Sequence, residues 1–230
     1  MGERTTNFPE VDSSLKRLLI SKDNCVGYAA FLVELFRNPS HQDKFLASYS
    51  GHVAKLQIDA TIANSIMLVC KVWDRKGDSI PVLSSKICSS SARIAEQRKT
   101  WRPEWDDRLL GIVSLQHELQ TTQRRVQSIR HFRRLHALRV HRTEAIAHPV
   151  SGVSRDREKY IARFGEFEPA NYWLVVRLLL CSANLIARLQ LHWFFEVDMV
   201  GDKVRIYREY TRMYWNALPK LGEMEERVRL

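Results

Sequence analysis

The sequence predicts an all-α fold, an up-and-down helical bundle with a C-terminal helical extension. Gly and Pro are sparse, with 9 and 7 copies in 230 residues. Apolar residues recur at helical spacing along most of the chain, and strand-like alternation is rare. The apolar fraction of 45% is normal for a globular protein and excludes wholesale disorder.

Breaks in the apolar periodicity define the expected elements. Good N-cap residues stand at Ser13 and Ser14, and Asn38-Pro39-Ser40 interrupts the chain after the first helix. Behind Pro81, residues 79–98 read as a shorter helical piece, and 151–167 as a loop with one helical turn. The main helices are expected near residues 13–37, 41–73, 104–147, 168–197 and 203–217.

No internal repeat or linker divides the chain. We expect a helical bundle over residues 1–198, with the helix and tail of 199–230 packed on the same domain. Tyr207, Tyr210 and Tyr214 share one face of the last helix. An aromatic stripe at this spacing is typical of core packing, so these tyrosines are expected to be buried.

The net charge and the cysteine spacing limit the classes of function that the sequence can support. The net charge of +10 favours a polyanionic partner, nucleic acid above all. The four cysteines lack the short spacing of a zinc site or a redox disulfide, which indicates a reducing compartment. The N-terminus has no apolar signal region, and Arg177 and Arg188 interrupt the most apolar segment. We therefore expect a cytoplasmic protein without a membrane partner.

Common catalytic signatures are absent from the sequence. It contains no Gly-rich phosphate loop, no His-Glu-x-x-His, no Gly-x-Ser-x-Gly and no EF-hand loop. His52, His117 and His192 show no metal-like spacing, and neither a metal nor another cofactor is expected.

One stretch, residues 120–148, concentrates the residues suited to phosphate chemistry. It holds seven arginines and four of the eight histidines against a single acid, Glu144. Arginine donates two parallel hydrogen bonds to phosphate and stays charged, and histidine transfers protons near neutral pH. An apolar stripe recurs every three residues and predicts that one side packs while the other presents the basic residues. The stripe consists of Val126, Ile129, Phe132, Leu135 and Leu138.

The end of this stretch resembles a known family. Arg142 and His148 are separated by five residues late in a long helix, within the string LRVHRTEAIAHP. The string is similar to the Arg-x(4–6)-His signature of the HEPN superfamily, and to its ending in the AbiU-like abortive-infection branch. Residues 69–87 resemble that branch's Asp-containing turn after helix two and the short helix behind it. The resemblance covers roughly residues 25–195.

The resemblance implies a metal-independent endoribonuclease of toxin or phage-defence type. Arg142 and His148 are then the catalytic residues, with Arg139, Thr143 and Glu144 in support. Thr143 stands where active members often carry Asn, Asp or His. Val150 replaces a Tyr found in members paired with a nucleotidyltransferase antitoxin. The basic helix face is expected to contact RNA through Arg130, Arg133, Arg134 and His141.

Helical geometry separates the two motif residues. In a continuous helix Arg142 and His148 lie about 120° apart around the axis and about 9 Å apart along it. Either the helix ends before His148, or a second copy completes the site, so a homodimer is expected with residues 120–148 near the two-fold axis. A protein antitoxin or another inhibitor is a further possible partner.

Two alternatives remain open at the level of sequence. The first is a non-catalytic HEPN-type module that binds RNA or a partner protein. The second is a helical DNA-binding protein that uses the same basic face, although no helix-turn-helix spacing supports it.

Overall fold

A computed structural model of the chain confirms the predicted all-α class. No strand occurs in the part of the chain that the structure describes. That part comprises residues 8–37, 40, 43, 51–101, 112–147, 154–169, 171–194, 196 and 198–217.

The described helices follow the predicted order. The chain is interrupted at residue 90 and at residues 131–132, where one helix each was predicted, and residues 155–164 form an additional helix. The helices are α1 Phe8–Arg37, α2 Gly51–Val72, α3 Ile80–Ser89, α4 Ser91–Trp101, α5 Ile112–Arg130, α6 Arg133–His141, α7 Arg155–Phe164, α8 Tyr172–Phe194 and α9 Val200–Ala217. A six-residue π-helical segment, Arg142–Ala147, follows α6 directly and is called the π turn below.

The expectation of one helix over 104–147 is wrong, because the chain breaks between α5 and α6. Phe132 adopts an extended conformation, with φ −66° and ψ 122°, and its side chain is 41% exposed.

The expectation of a loop over 151–167 is also corrected, since residues 155–164 form α7. The Ser154 hydroxyl accepts a hydrogen bond from the backbone N–H of Arg157 at 3.2 Å and caps the helix. Asp156 and Glu158 place negative charge in the first turn, where the helix dipole favours it. Gly165 ends the helix with a φ of 79°, a conformation that glycine adopts without strain.

Helix α8 lies at the centre of the bundle and packs against α1, α2, α3 and α5. Its buried side chains include Leu179, Ala183 and Ile186. By length and composition α8 is also apolar enough to cross a membrane, and among the described helices it is the one that passes this test. Two-thirds of its most apolar window is buried inside the protein, as in a core helix of a globular domain.

Helix α9 packs on α1 through ion pairs, and the predicted burial of its tyrosines is wrong. Tyr207, Tyr210 and Tyr214 are exposed, Tyr210 by 62%. Arg208 and Arg212 instead reach Glu34 of α1, whose side chain is fully buried, at 2.5 and 3.1 Å. Because an ionised carboxylate is costly to bury without partners, Glu34 selects the cationic face of α9.

Removing both arginines should therefore leave a buried charge without these two partners. We expect Arg208→Ala combined with Arg212→Ala to lower the free energy of unfolding by about 3–5 kcal/mol. Arg205→Ala removes an exposed cation of the same helix, paired only with Asp202 three residues earlier in the described structure, and should cost less than about 0.5 kcal/mol. Urea denaturation measures both values, and equal losses in the two proteins would contradict this role of Glu34.

Candidate functional site

A small second core holds α6 and α7 together and forms one wall of a cleft. Ala137 and Val140 of α6 pack against Tyr160 of α7, with Phe164 and Phe167 around them. The Tyr160 ring lies 5.1 Å from the Phe164 ring and 5.2 Å from the Phe167 ring, centroid to centroid. Aromatic packing at these distances fixes the spacing of the two helices.

Arg133 fastens the start of α6 to the same unit. Its Nε donates to the Tyr160 hydroxyl at 2.9 Å, and its Nη2 donates to the backbone carbonyl of Glu166. The guanidinium also lies 5.8 Å from the centroid of the Tyr160 ring. Arg133, predicted as an RNA contact, thus directs its Nε and Nη2 groups at its own protein.

The cleft lies between α6, α7 and the turn that follows α2. Its volume is about 400 Å³, which is within the range of small-ligand sites. Its cationic lining residues are Arg75, Arg139, Arg142, Lys159 and Arg163. Its remaining lining residues are Cys70, Asp74, His136, Val140, Asp156, Tyr160 and Phe164.

The cleft keeps an excess of positive charge. Asp156 accepts a hydrogen bond from the Thr143 hydroxyl at 2.8 Å, and Asp74 accepts one from the backbone N–H of Arg75 at 2.6 Å. Within the described residues, the side chains of Arg75, Arg142 and Lys159 form no ion pair. With five cations against two carboxylates, the cleft is suited to an anionic ligand.

Arg139 is held in place by the main core. Its Nη2 donates to the backbone carbonyl of Trp73 at 2.7 Å, just beyond the end of α2. The fully buried Trp73 indole donates in turn to the Ser182 hydroxyl of α8 at 2.8 Å. Burial lowers the pKa of Arg139, yet arginine keeps its charge under all ordinary conditions. Arg139 thus supplies a fixed positive charge beside Arg142.

The π turn gives its first three residues different environments. Arg142 lines the cleft. The single hydroxyl hydrogen of Thr143 is shared between the Arg139 carbonyl at 3.1 Å and Asp156 at 2.8 Å. Glu144 accepts from the backbone N–H of Ser154 at 3.2 Å and from the Arg157 guanidinium at 2.6 Å. Both oxygens of Glu144 thus bind the start of α7, an environment that the sequence did not predict.

The remaining predicted site residues are more scattered. Arg134 and His141 are exposed on α6. Arg130 lines a second groove of about 310 Å³, which shares Arg75 with the cleft and also contains Lys86. The predicted catalytic residue His148 lies outside the described residues.

The sequence analysis did not single out His136 among the histidines of residues 120–148. The ring lines the cleft and lies 5.2 Å from the Phe164 ring, centroid to centroid. Burial, followed by the charges of Arg139 and Arg163, lowers the pKa of His136 to about 4, so the imidazole is neutral at pH 7. A usable signal was its position four residues before Val140 and six before Arg142, on a helix with a buried face.

Cys70 is the cleft's potential nucleophile, and its environment argues against that role. Burial raises its pKa to about 11, so the thiol stays protonated at neutral pH. Within the described residues no group of three or more His, Cys, Asp or Glu side chains is arranged to hold a metal ion. The polar groups that the described cleft offers are therefore those of arginine, lysine, histidine, aspartate and tyrosine.

The all-α fold is consistent with a HEPN-type helical bundle. The family model described as AbiU2, of the HEPN class, matches residues 14–217. Because this match spans most of the chain, the protein belongs to the AbiU2 family of HEPN abortive-infection proteins. No curated protein and no solved structure matches the chain.

Glu144 should stabilise the fold by joining the π turn to α7. Although burial raises its pKa, the hydrogen bonds from Ser154 and Arg157 lower it below the ordinary value. Replacing it by Glu144→Gln should cost about 1–2 kcal/mol of unfolding free energy at pH 7. Since the folded-state pKa is depressed, this difference from wild type should persist above about pH 4.3 and vanish as the pH falls through the folded-state value.

Urea titrations at several pH values measure this difference. Glu158→Gln, which removes an exposed carboxylate from α7, is the control and should cost less than about 0.5 kcal/mol. A penalty for Glu144→Gln that is independent of pH would contradict the charge-based explanation.

Proposed function

We propose that the protein is a metal-independent endoribonuclease and that the cleft binds the RNA phosphates. The observation that carries the proposal is Arg142, which lies in a cationic cleft without an ion-pair partner among the described residues. Membership in the AbiU2 family supports it, because the same arginine begins the family-like Arg-x(5)-His motif.

The proposed reaction uses the 2′-hydroxyl of RNA as the nucleophile. Its oxygen attacks the adjacent phosphorus while the bond to the 5′-oxygen breaks, which leaves a 2′,3′-cyclic phosphate and a 5′-hydroxyl. His148 transfers a proton in this reaction, as base to the 2′-hydroxyl or as acid to the leaving oxygen. Arg142, beside Arg139, stabilises the negative charge that develops on the phosphoryl oxygens.

The second groove extends the RNA contact beyond one phosphate. Arg75 lines both the cleft and the groove, and Arg130 and Lys86 also line the groove. Successive phosphates of a single strand would therefore meet successive cations, with Arg134 and His141 exposed on the adjoining helix. This extension favours a strand of RNA over a free phosphate as the substrate.

If Arg142 and His148 carry out the reaction, replacing either of them should remove activity without unfolding the protein. Wild-type protein should cleave single-stranded RNA in EDTA, leave cyclic phosphate ends and spare DNA. Arg142→Ala and His148→Ala should each lower the cleavage rate by about 10²–10⁴-fold with unchanged thermal stability. Arg205→Ala, which removes an exposed arginine of α9, is the matched control and should cleave at the wild-type rate.

Two results would decide against this mechanism. One is cleavage only after Mg²⁺ is added, and the other is wild-type activity in His148→Ala. A wild-type protein that binds RNA and never cuts it would favour a non-catalytic RNA-binding module.

We propose further that the protein is a homodimer in which two copies complete the site. In this arrangement Arg142 of one copy acts with His148 of the other, which removes the need for convergence within one helix. Neither Arg142→Ala nor His148→Ala homodimers should then be active. Co-expressing the two variants should restore about one quarter of the wild-type activity, because half of the random dimers hold one intact site of two.

Light scattering of the same samples checks the oligomeric state. A monomer at micromolar concentration, or a co-expressed mixture without activity, would contradict the shared site. In the second case Arg142 and His148 would have to act within one subunit.

A further inference from the structure

Helices α6 and α7 run antiparallel along two sides of the cleft. Near the start of α7, Asp156 lies 2.8 Å from the hydroxyl of Thr143, in the π turn that continues α6. At the end of α7, the Phe164 ring packs 5.2 Å from the ring of His136, centroid to centroid. Because the start of α7 meets the residues after α6 and its end meets the first half of α6, the cleft between them has two distinct ends.

The cationic side chains of the cleft divide between these two ends. Arg142, with Arg139 one turn before it, lies at the end near the π turn. Arg163 lines the opposite end, where its Nη2 atom lies 3.4 Å from Nδ1 of His131. The six positions from His136 to Arg142 correspond to about 9 Å along the helix, at about 1.5 Å per residue.

The electrostatic effects of these cations agree with the division. Burial lowers the pKa of His136, and the charges of Arg139 and Arg163 lower it further. Burial raises the pKa of Cys70, and the charges of Arg142 and Arg139 oppose that rise. Arg139 is thus the cation common to the two ends, while Arg163 belongs to one end and Arg142 to the other.

A single phosphate is too small to use both ends of the cleft. When it binds Arg142 and Arg139, as the proposed reaction requires, Arg163 is left without an anion. Within the described residues neither Arg163 nor Lys159, one turn earlier on α7, forms an ion pair. In a strand of RNA the next phosphate stands one nucleotide away, a distance comparable with the separation of the two ends.

We infer that the cleft binds two consecutive phosphates of one RNA strand, the scissile phosphate at Arg142 and Arg139 and its neighbour at Arg163. Arg163 thereby becomes a phosphate-binding residue that sets the position of the strand relative to Arg142. The cleft volume of about 400 Å³ accommodates a nucleoside with a phosphate on each side. The inference rests on the proposed function in that the same cleft takes RNA.

Calorimetric titration with small phosphate compounds tests the two-phosphate site. The probes are 2′-deoxyadenosine 3′,5′-bisphosphate, the corresponding 3′- and 5′-monophosphates, and pyrophosphate. Wild-type protein should bind the bisphosphate at least about tenfold more tightly than either monophosphate, as one additional charge-assisted hydrogen bond predicts. Pyrophosphate should bind less tightly than the bisphosphate, because two directly joined phosphates do not reach both ends.

Variants of Arg163 connect the second phosphate to its residue. Arg163→Gln should lower the affinity for the bisphosphate about tenfold and leave the affinities for the monophosphates unchanged, because these bind at Arg142. Since Arg163 is exposed, the variant should keep the wild-type melting temperature. Arg163→Lys retains the charge and should restore part of the lost affinity. Arg205→Gln removes an exposed arginine of α9 and is the matched control, which should bind every probe like wild type.

A wild-type protein that binds the bisphosphate no more tightly than the monophosphates would overturn the inference, and this comparison needs no variant to fold. A bisphosphate advantage that persists in Arg163→Gln would also overturn it. Tighter binding of pyrophosphate than of the bisphosphate would assign the cleft to a free diphosphate and likewise overturn it.

The test does not depend on ribonuclease activity, because none of the probes carries the 2′-hydroxyl that the proposed reaction uses. A protein that shows the bisphosphate advantage and never cuts RNA would refute the catalytic proposal and leave the two-phosphate site standing. A protein that cuts RNA and shows no advantage would refute the two-phosphate site alone.

Discussion

The position of the cleft depends on Trp73, which joins the main core to the basic helix. Its indole is fully buried and donates to Ser182 in the middle of α8. Its backbone carbonyl accepts from Arg139 of α6. Because both bonds use groups of one rigid residue, the cationic wall of the cleft keeps a fixed distance from the central helix. The π turn, which begins at Arg142, inherits this position from α6.

The cleft stays positively charged because the acidic residues near it bind groups other than Arg142. Glu144 is bound to Arg157 and to the backbone of Ser154, and Asp156 accepts from Thr143. These carboxylates therefore stabilise the junction between the π turn and α7, and the described ion pairs do not neutralise Arg142. Positive charge that is already oriented needs little rearrangement when a phosphate arrives, which favours binding and catalysis alike.

The helical class and most of the core were predictable, because each long helix carries its own apolar periodicity. The break at Phe132 was missed although the sequence contained a signal for it. Apolar residues spaced by three fall about 60° short of a full turn at each step, so the stripe from Val126 to Leu138 drifts by about 240° around a continuous helix. A single straight helix cannot bury both ends, and the interruption resets the register so that both are buried.

The site was predictable only as far as local sequence determines it. The motif identified Arg142, but the partners of its neighbours come from distant segments: Arg139 reaches a carbonyl 66 positions away, and Arg133 reaches Tyr160 27 positions away. No spacing rule distinguishes Arg133 and Arg139, which bind their own protein, from Arg142, since all three lie in one basic stretch of the sequence. His136 was missed for the same reason, because its burial beside Phe164 and its lowered pKa come from contacts with α7. Tertiary contacts therefore divide a uniform basic stretch into arginines that hold the fold and arginines left available for phosphate.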